Sequence, residues 1–354
     1  MLFCSCIQSI IGQNWLSLPN FPGSPRDDGA GFNIGDSAYF GTGLTPWWSA
    51  ERDFYGLNTT NDTWFSVASL PEGKERQYAS AFSYSNYGFL IGGYSNSQFL
   101  NDVWRYNAVT NEWTALTALP SVGRSGSSCF VLNDTAYIIG GKTATNDAID
   151  EVWAYAINTD TWVQKDNFPF GKRWRSATTN LSNNGYLIFG KDENGSFKNT
   201  FYKYNSNNDV WSELTPFPTS GRTHASLTSI NSDLYLLFGI DSVGNSHNDL
   251  WKYNFNLANW EALPGLPGLG RRGGICVTNS NVFYYSTGID ESNTRLQETW
   301  KYTYNLSVNE PINDLQKSVV RILDILGRET VFKSNTLLIY LYSDGSTQKV
   351  YVIE

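Results

Sequence analysis

A tryptophan recurs every 49 residues through most of this 354-residue chain. The six copies are Trp15, Trp64, Trp113, Trp162, Trp211 and Trp260. A proline, a glycine and a second aromatic residue keep the same or nearly the same period. An arginine does so as well, at Arg26, Arg76, Arg124, Arg173, Arg222 and Arg271. A fixed period of this length indicates stacked units that bury their apolar faces only against one another. Because six successive units keep one length, the spacing predicts a closed array.

Each repeat has the pattern of four short strands. In the third unit, β-branched and aromatic runs occupy residues 125–132, 136–141 and 151–156, and a fourth run surrounds Trp162. Asn, Asp and Gly turns separate these runs, and no helical periodicity is present. Six repeats of four antiparallel strands are typical of an all-β fold, the six-bladed β-propeller.

Three short motifs in the second unit give a family resemblance. They are Ile-Gly-Gly at 91–93, Asn-Asp-Val-Trp-Arg-Tyr at 101–106 and Glu-Trp at 112–113. This pattern resembles the kelch repeat, whose period is about 50 residues. The resemblance covers roughly residues 15–305 and implies a kelch β-propeller whose variable loops carry its function.

The sixth unit lacks its last strand. Its third strand is present at residues 298–302, but Asn309 stands where the next tryptophan is due. The missing strand is found at the other end of the chain, around Trp15. An open ring would leave an unpaired strand edge. We therefore predict that the N-terminal strand completes blade six, and that the propeller occupies residues 13–305.

Charge and hydropathy limit the kind of partner. The formal net charge is −8, which argues against nucleic-acid binding because phosphate contacts need a basic surface. No apolar run approaches the ~20 residues of a spanning helix, so we expect no transmembrane span. Residues 1–12 are typical of the apolar part of a signal peptide; the alternative is a simple hydrophobic tail. We expect an extracellular monomer.

The four cysteines do not form a disulfide framework. Cys4 and Cys6 lie in the predicted signal segment. Cys129 and Cys276 are three periods apart, which puts them at equivalent first-strand positions on opposite sides of the ring. Such positions are too far apart for a disulfide, so we expect buried free thiols.

The last part of the chain, residues 306–354, does not follow the repeat. Its Asp-Ile-Leu-Gly-Arg-Glu segment at 324–329, and the Asp344-Gly345 and Lys349-Val350 pairs near its end, resemble the type A C-terminal sorting domain of the type IX secretion system. The resemblance implies a short linker and sorting domain and a partner in the type IX secretion machinery. It places the protein outside a Gram-negative cell, secreted or on the outer-membrane surface. The alternative is a two-stranded tail around an Asp-Gly hairpin.

Departures from the repeat are the candidates for function, because a residue present in all six blades does the same structural work six times. Trp47, Trp48 and Trp174 fall outside the repeat template, and several extra cations lie in loops on the same predicted face. Loops on a rigid scaffold are where binding groups concentrate. The candidate ligand-binding residues are Trp47, Trp48, Lys172, Arg173, Trp174, Arg175, Arg222, Arg271 and Arg272. Two alternatives stay open: the repeated arginines close the ring through loop carbonyls, and the tryptophans pack within their loop.

No catalytic residues are singled out by spacing, and we expect no cofactor and no metal site. His224 and His247 are the only histidines, and we assign them to packing or to the surface. Acidic residues follow the repeated glycines of blades four to six without forming an evident pair; they are Asp192, Glu193, Asp241, Asp290 and Glu291.

Two enzyme families on kelch propellers bear on the function. Copper radical oxidases resembling galactose oxidase need two histidines, tyrosines and a tyrosine-linked cysteine on seven blades; the six predicted blades, the two scattered histidines and the cysteines placed by symmetry argue against this interpretation. The six-bladed N-acetylneuraminate epimerases are closer in size, and their acidic sugar would suit an arginine-lined mouth. We favour a secreted or surface module that binds a glycan or a protein, with a sugar-processing enzyme resembling these epimerases as the alternative.

Overall fold

The computed structural model describes residues 14–304, 319–342 and 347–351. The chain divides into two compact units, Met1–Tyr304 and Asn305–Glu354. Every regular element in the described residues is a β-strand, and no helix there is long and apolar enough to cross a membrane. The predicted signal peptide at 1–12 and the predicted linker lie outside the described residues.

The first unit is built of short strands in chain order. Its first half contains β1 (Trp15–Leu18), β2 (Ala30–Ile34), β3 (Ser37–Gly41), β4 (Phe54–Asn58), β5 (Thr63–Ser66), β6 (Ser80–Tyr84), β7 (Tyr87–Ser95), β8 (Gln98–Asn107), β9 (Glu112–Leu116), β10 (Ser128–Leu132), β11 (Thr135–Ile139), β12 (Val152–Ala156) and β13 (Thr161–Lys165). Its second half contains β14 (Ala177–Leu181), β15 (Asn184–Ile188), β16 (Phe201–Asn205), β17 (Val210–Leu214), β18 (Arg222–Thr223), β19 (Ser226–Ile230), β20 (Asp233–Leu237), β21 (Ile240–Asp241), β22 (Leu250–Asn254), β23 (Asn259–Leu263), β24 (Arg271–Arg272), β25 (Ile275–Asn279), β26 (Val282–Ser286), β27 (Ile289–Asp290) and β28 (Thr299–Thr303).

All but four of these strands form six four-stranded antiparallel sheets, which confirms the six-bladed all-β prediction. The short strands β18 and β21 form one two-stranded sheet, and β24 and β27 form another. Blades one to five each use four consecutive long strands, beginning with β2, β6, β10, β14 and β19. The first strand of each blade packs against the first strands of its neighbours. These innermost strands line a central channel, with a cavity of about 400 Å³ between them.

Blade six is completed from the other end of the chain, as predicted. Its strand order is β25-β26-β28-β1, with Trp15 opposite Tyr302 and Leu18 opposite Thr299. The Trp15 indole N–H donates to the Pro264 carbonyl at 3.2 Å, as Trp64 donates to the Pro19 carbonyl one blade further on. The N-terminal strand therefore takes over both the pairing and the blade-to-blade hydrogen bond of the missing repeat.

The second unit is a small antiparallel sheet of β29 (Val319–Leu323), β30 (Leu337–Tyr342) and β31 (Thr347–Tyr351), in that order. After β29, the Asp324 carboxylate accepts hydrogen bonds from the backbone N–H groups of Leu326 and Arg328 and from the Arg328 side chain. These contacts fix the turn that carries the Asp-Ile-Leu-Gly-Arg-Glu motif. The predicted Asp344-Gly345 hairpin lies outside the described residues.

Candidate functional site

The channel mouth is surrounded by one residue from each blade, at the position two residues after each repeated arginine. The six residues are Asp28, Tyr78, Gly126, Arg175, His224 and Gly273. Together with their neighbours they line a cavity of about 210 Å³. All six have positive φ angles, between 56° and 66°, in the left-handed region.

Backbone hydrogen bonds tie this ring together. The N–H of Tyr78 donates to the carbonyl of Asp28, that of Gly126 to Tyr78, and that of Arg175 to Gly126. The left-handed conformation suits glycine and strains larger residues. Four of the six blades nevertheless carry a side chain here. Residues whose strained backbone is held in place by the scaffold are typical of functional sites. The ring of six is therefore the candidate functional site.

The four side chains of the ring contact one another. The Arg175 guanidinium lies over the Tyr78 ring at 3.9 Å and over the Trp174 ring at 4.1 Å. Arg175 Nη1 also donates to Nε2 of His224. The Asp28 carboxylate lies 3.7 Å from the same nitrogen and interacts with the Tyr78 hydroxyl. A carboxyl, a phenol, a guanidinium and an imidazole therefore meet at the channel mouth.

The small residue in the third blade makes room for this arrangement. A Cβ on Gly126 would lie 2.6 Å from Trp174 Nε1 and 3.0 Å from Arg175 Cγ. Because such contacts are shorter than real Cβ contacts, a larger residue here would displace the Trp174–Arg175 pair. The glycine thus holds open the place that these two side chains fill.

The protonation states follow from burial and from Arg175. Burial raises the pKa of Asp28 from 3.8 to about 7, and the positive charge of Arg175 opposes part of that rise. Burial, and then Arg175, hold the pKa of His224 well below its usual value, so the imidazole is neutral. Since an arginine can only donate, Nε2 of His224 accepts, and its proton sits on Nδ1, 2.9 Å from Thr223 Oγ1.

This arrangement can bind an anion and transfer a proton. The guanidinium of Arg175 matches carboxylate and phosphate groups. A carboxyl with a pKa near 7 exchanges its proton at neutral pH, as a general acid or base must. Among the residues that the structure describes, no group of three or more His, Cys, Asp or Glu side chains is placed to hold a metal ion. The carboxyl of Asp28 and the guanidinium of Arg175 give the mouth the groups for acid–base chemistry on a bound anion.

The repeated arginines are buried and join loops within the ring. Five of the six pair with a carboxylate: Arg26 with Asp53, Arg76 with Asp102, Arg124 with Glu151, Arg222 with Asp249 and Arg271 with Glu298. Thr200 takes the place of the acid in blade four, and Arg173 Nη2 lies 3.4 Å from its hydroxyl. For the candidates Arg173, Arg222 and Arg271, these internal partners favour the structural interpretation left open above.

The other candidate cations and Trp174 are brought near the mouth to different degrees. Trp174 stacks on Arg175 and also lies 5.5 Å from Lys142 Nζ. Arg272 contributes to the positive potential at His224 and donates to Ser246 and Asn293. The Lys172 backbone carbonyl accepts a hydrogen bond from Arg173. Of the predicted cations, Arg175 alone belongs to the ring of six.

Trp47 and Trp48 lie beside the mouth in a larger cleft of about 880 Å³. Their side chains are 72% and 77% exposed, so they do not pack inside their loop. Tyr78 lines both this cleft and the channel mouth. The aromatic pair and the ring of six are therefore continuous through Tyr78.

The remaining polar candidates are occupied elsewhere. Asp192, Asp241 and Asp290 each accept two backbone N–H bonds inside their own loops. His247 Nε2 lies 3.3 Å from Asp241 Oδ2. These groups fix loop conformation, and none of them lines the channel mouth.

Cys129 and Cys276 are free, as predicted, and half-buried rather than fully buried. Both line the channel cavity. Burial raises the pKa of each thiol to about 12. A thiol with so high a pKa is a poor nucleophile at neutral pH, so neither is a candidate for covalent chemistry.

The sequence alone does not single out Asp28 or Tyr78, and from it we assign His224 to packing or to the surface. A signal was present, because the position two residues after each repeated arginine changes from glycine to Asp, Tyr, Arg or His among the blades. Its strained backbone, which gives those changes their meaning, becomes visible only in the structure.

Comparison with known proteins places the chain in a family. The family model described as the KLHDC2/KLHL20/DRC7 Kelch-repeats domain matches residues 24–174 and 126–308. These two overlapping segments cover most of the propeller. A solved structure, "Structure of YjhT", has a TM-score of 0.70 at 19% sequence identity and covers 80% of this chain and 95% of that one. At that identity the likeness shows a shared fold.

Similar proteins of known activity match a shorter stretch. N-acetylneuraminate epimerase of Shigella sonnei (strain Ss046) is 35% identical over 131 residues, 35% of this chain and 34% of that protein. The protein of the same name in Escherichia coli O1:K1 / APEC is 33% identical over 142 residues, 38% of this chain and 37% of that protein. The chain thus spans about a third of the length of the curated relatives that it matches.

Proposed function

We propose that this protein, which belongs to the kelch-repeat family, is a sugar-processing enzyme that transfers protons at the ring of an acidic sugar. The observation that carries this proposal is the convergence of Asp28, Tyr78, Arg175 and His224 at the channel mouth. Partial similarity to N-acetylneuraminate epimerases supports the same class of substrate.

Each group has a role that its environment suits. Arg175, held between Tyr78 and Trp174, receives the carboxylate of the sugar. Asp28, with its pKa raised by burial to about 7, takes the proton from the anomeric hydroxyl while the bond from the anomeric carbon to the ring oxygen breaks and that oxygen takes a proton from water. On closure the freed hydroxyl adds to the other face of the carbonyl and gives its proton to water, and Asp28 returns its proton to the new anomeric oxygen. Neutral His224 accepts a hydrogen bond from Arg175 and so orients the guanidinium.

Anomer exchange of N-acetylneuraminic acid, followed by NMR saturation transfer, tests this proposal. We expect the wild-type protein to accelerate exchange, and the rate to rise with pH through about 7 as Asp28 loses its proton. Asp28→Asn should lower the rate by about 100-fold or more. Arg175→Gln should raise KM. His247→Ala, at a histidine outside the mouth, should change neither the exchange rate nor KM.

A second candidate function is ligand binding without turnover. The exposed Trp47–Trp48 pair favours it, because paired aromatic rings form a surface on which ligands stack. In that case the wild-type protein would bind acidic sugars without accelerating anomer exchange. Full exchange activity in Asp28→Asn would likewise reject the catalytic role of this carboxyl.

Export by a type IX secretion system is proposed as well, with residues 1–12 as signal peptide and residues 306–354 as linker and sorting domain. The ordered turn around Asp324 and Arg328 supports it, since the motif residues hold one another in place. A periplasmic reporter carrying residues 306–354 should reach the exterior of a Gram-negative host that has this system. Retention of the reporter in the periplasm would contradict the proposal.

A further inference from the structure

The cleft beside the channel mouth has one wall that departs from the repeat. In blade two, β7 and β8 are nine and ten residues long, whereas the middle strands of the other blades have five. Their extra length ends in a turn at Asn96 and Ser97, which lines the cleft together with Tyr94. The opposite wall is the loop of blade one that carries Trp47 and Trp48. Two departures from symmetry thus face the same space.

The tryptophan loop holds its rings in solvent by a defined structure. Trp48 has a φ of 60°, and its N–H donates to the carbonyl of Thr45 at 3.0 Å. Thr45 is fully buried, and its own N–H donates to the carbonyl of Ser49. These hydrogen bonds fix the backbone of the turn around Trp48. The loop therefore displays two large apolar rings that are mostly exposed, with the Arg295 guanidinium over that of Trp48.

The charged side chain of Arg295 connects Trp48 to a residue beside the channel mouth. The Arg295 guanidinium lies 5.0 Å from the centre of the Trp48 ring, and Arg295 Nε donates to Asp27 Oδ1 at 2.6 Å. Asp27 precedes Asp28 in the chain. Arg295 therefore links the Trp48 side of the cleft to the residue that precedes Asp28.

One polar group in the cleft has no partner. Gln77 is 9% exposed and lines the cleft, and its side-chain carbonyl accepts no hydrogen bond from the part of the chain that the structure describes. A buried acceptor without a partner is costly. A ligand hydroxyl in the cleft would satisfy it.

We propose that the Trp47–Trp48 cleft binds a second sugar ring, so that the substrate is a glycan whose free acidic end enters the channel mouth. This inference rests on the proposed function for its reactive end. Apolar faces of sugar rings stack on indoles, while their hydroxyls bond groups such as Gln77, Asn96 and Ser97. The mouth, at about 210 Å³, holds one ring; the cleft, at about 880 Å³, is as large as sites for much bigger ligands.

The α2,8-linked dimer of N-acetylneuraminic acid is a suitable probe, because its reducing-end ring is free to open while its second ring can reach the cleft. We expect the wild-type protein to bind this dimer about tenfold more tightly than the monosaccharide, as measured by tryptophan fluorescence. Trp47→Ala combined with Trp48→Ala should remove that advantage, a change worth about 1.4 kcal/mol. Val109→Ala, which trims an exposed apolar side chain elsewhere, should leave that advantage unchanged.

The two proposals fail differently. Asp28→Asn should lower the exchange rate by about 100-fold or more while leaving the preference for the dimer intact, so a loss of chemistry does not remove the evidence for the cleft. Equal affinity for dimer and monosaccharide in the wild-type protein would overturn the second-ring proposal. Self-association of the wild-type chain that the double tryptophan variant loses would also overturn it, since the cleft would then belong to a second copy.

Discussion

Replacing Trp15 by alanine measures how much the N-terminal strand contributes to holding the ring closed. Trp15 is 5% exposed and packs against Phe238, Phe283 and Tyr302, with ring centroids 5.1 to 5.9 Å away. A buried aromatic side chain removes about 150–250 Å² from water, which at about 25 cal/mol per Å² stabilises the fold by about 4–6 kcal/mol. Loss of the hydrogen bond to the Pro264 carbonyl adds about 1 kcal/mol.

Partial collapse around the removed ring offsets some of this loss, so we expect Trp15→Ala to lower the free energy of unfolding by about 4–5 kcal/mol. Urea titration followed by circular dichroism gives the value. Leu16→Ala is the matched control, because Leu16 lies on the same strand and is 55% exposed; it should cost no more than about 0.5 kcal/mol. Equal effects of the two substitutions, or a loss below about 1 kcal/mol for Trp15→Ala, would refute the closing role of this strand.

Three further predictions concern charge and reactivity. Burial raises the pKa of Asp28 above its unfolded value, so the folded state binds more protons than the unfolded state between pH ~4 and ~7. The free energy of unfolding should therefore fall as pH rises through that window, and Asp28→Asn should remove this contribution in urea titrations at several pH values. Thr200→Asp should give Arg173 the carboxylate that the other five arginines have and raise the melting temperature, whereas a drop would show that blade four excludes the pair. Peptide mapping after iodoacetamide at pH 8 should find Cys129 and Cys276 unmodified in the folded protein, since burial raises the pKa of both thiols to about 12; rapid labelling would contradict this.

The architecture was predictable from the sequence because the same packing contact recurs in every blade. Each tryptophan packs at a joint between neighbouring blades and four of the six, Trp15, Trp64, Trp113 and Trp162, donate to a carbonyl of the preceding blade. A change of length in any unit would misalign that joint. The 49-residue spacing of the tryptophans therefore predicts both the number of blades and the strand that closes the ring.

The site was less predictable because it depends on residues that differ between blades. Trp47, Trp48 and Arg175 were found as departures from the repeat, and the structure places them along one continuous surface through Tyr78. Asp28 escaped notice because an aspartate near an arginine is ordinary on a surface. Its burial, its contact with His224 and its raised pKa follow from the convergence of six loops, which no local pattern encodes.

Closure through Trp15 and Tyr302 also sets an order of events for the folding chain. Among the described strands of the ring, β1 is made before the others and is the last to find its partner, because that partner lies almost a full circuit away. Contacts between such distant positions slow folding. Until β28 is made, β1 has no neighbour in its sheet, and its free edge is open to pairing with another chain. A ring sealed in this way is complete only once β28 has been made, so its yield in a cell depends on how well β1 is kept from other partners until then.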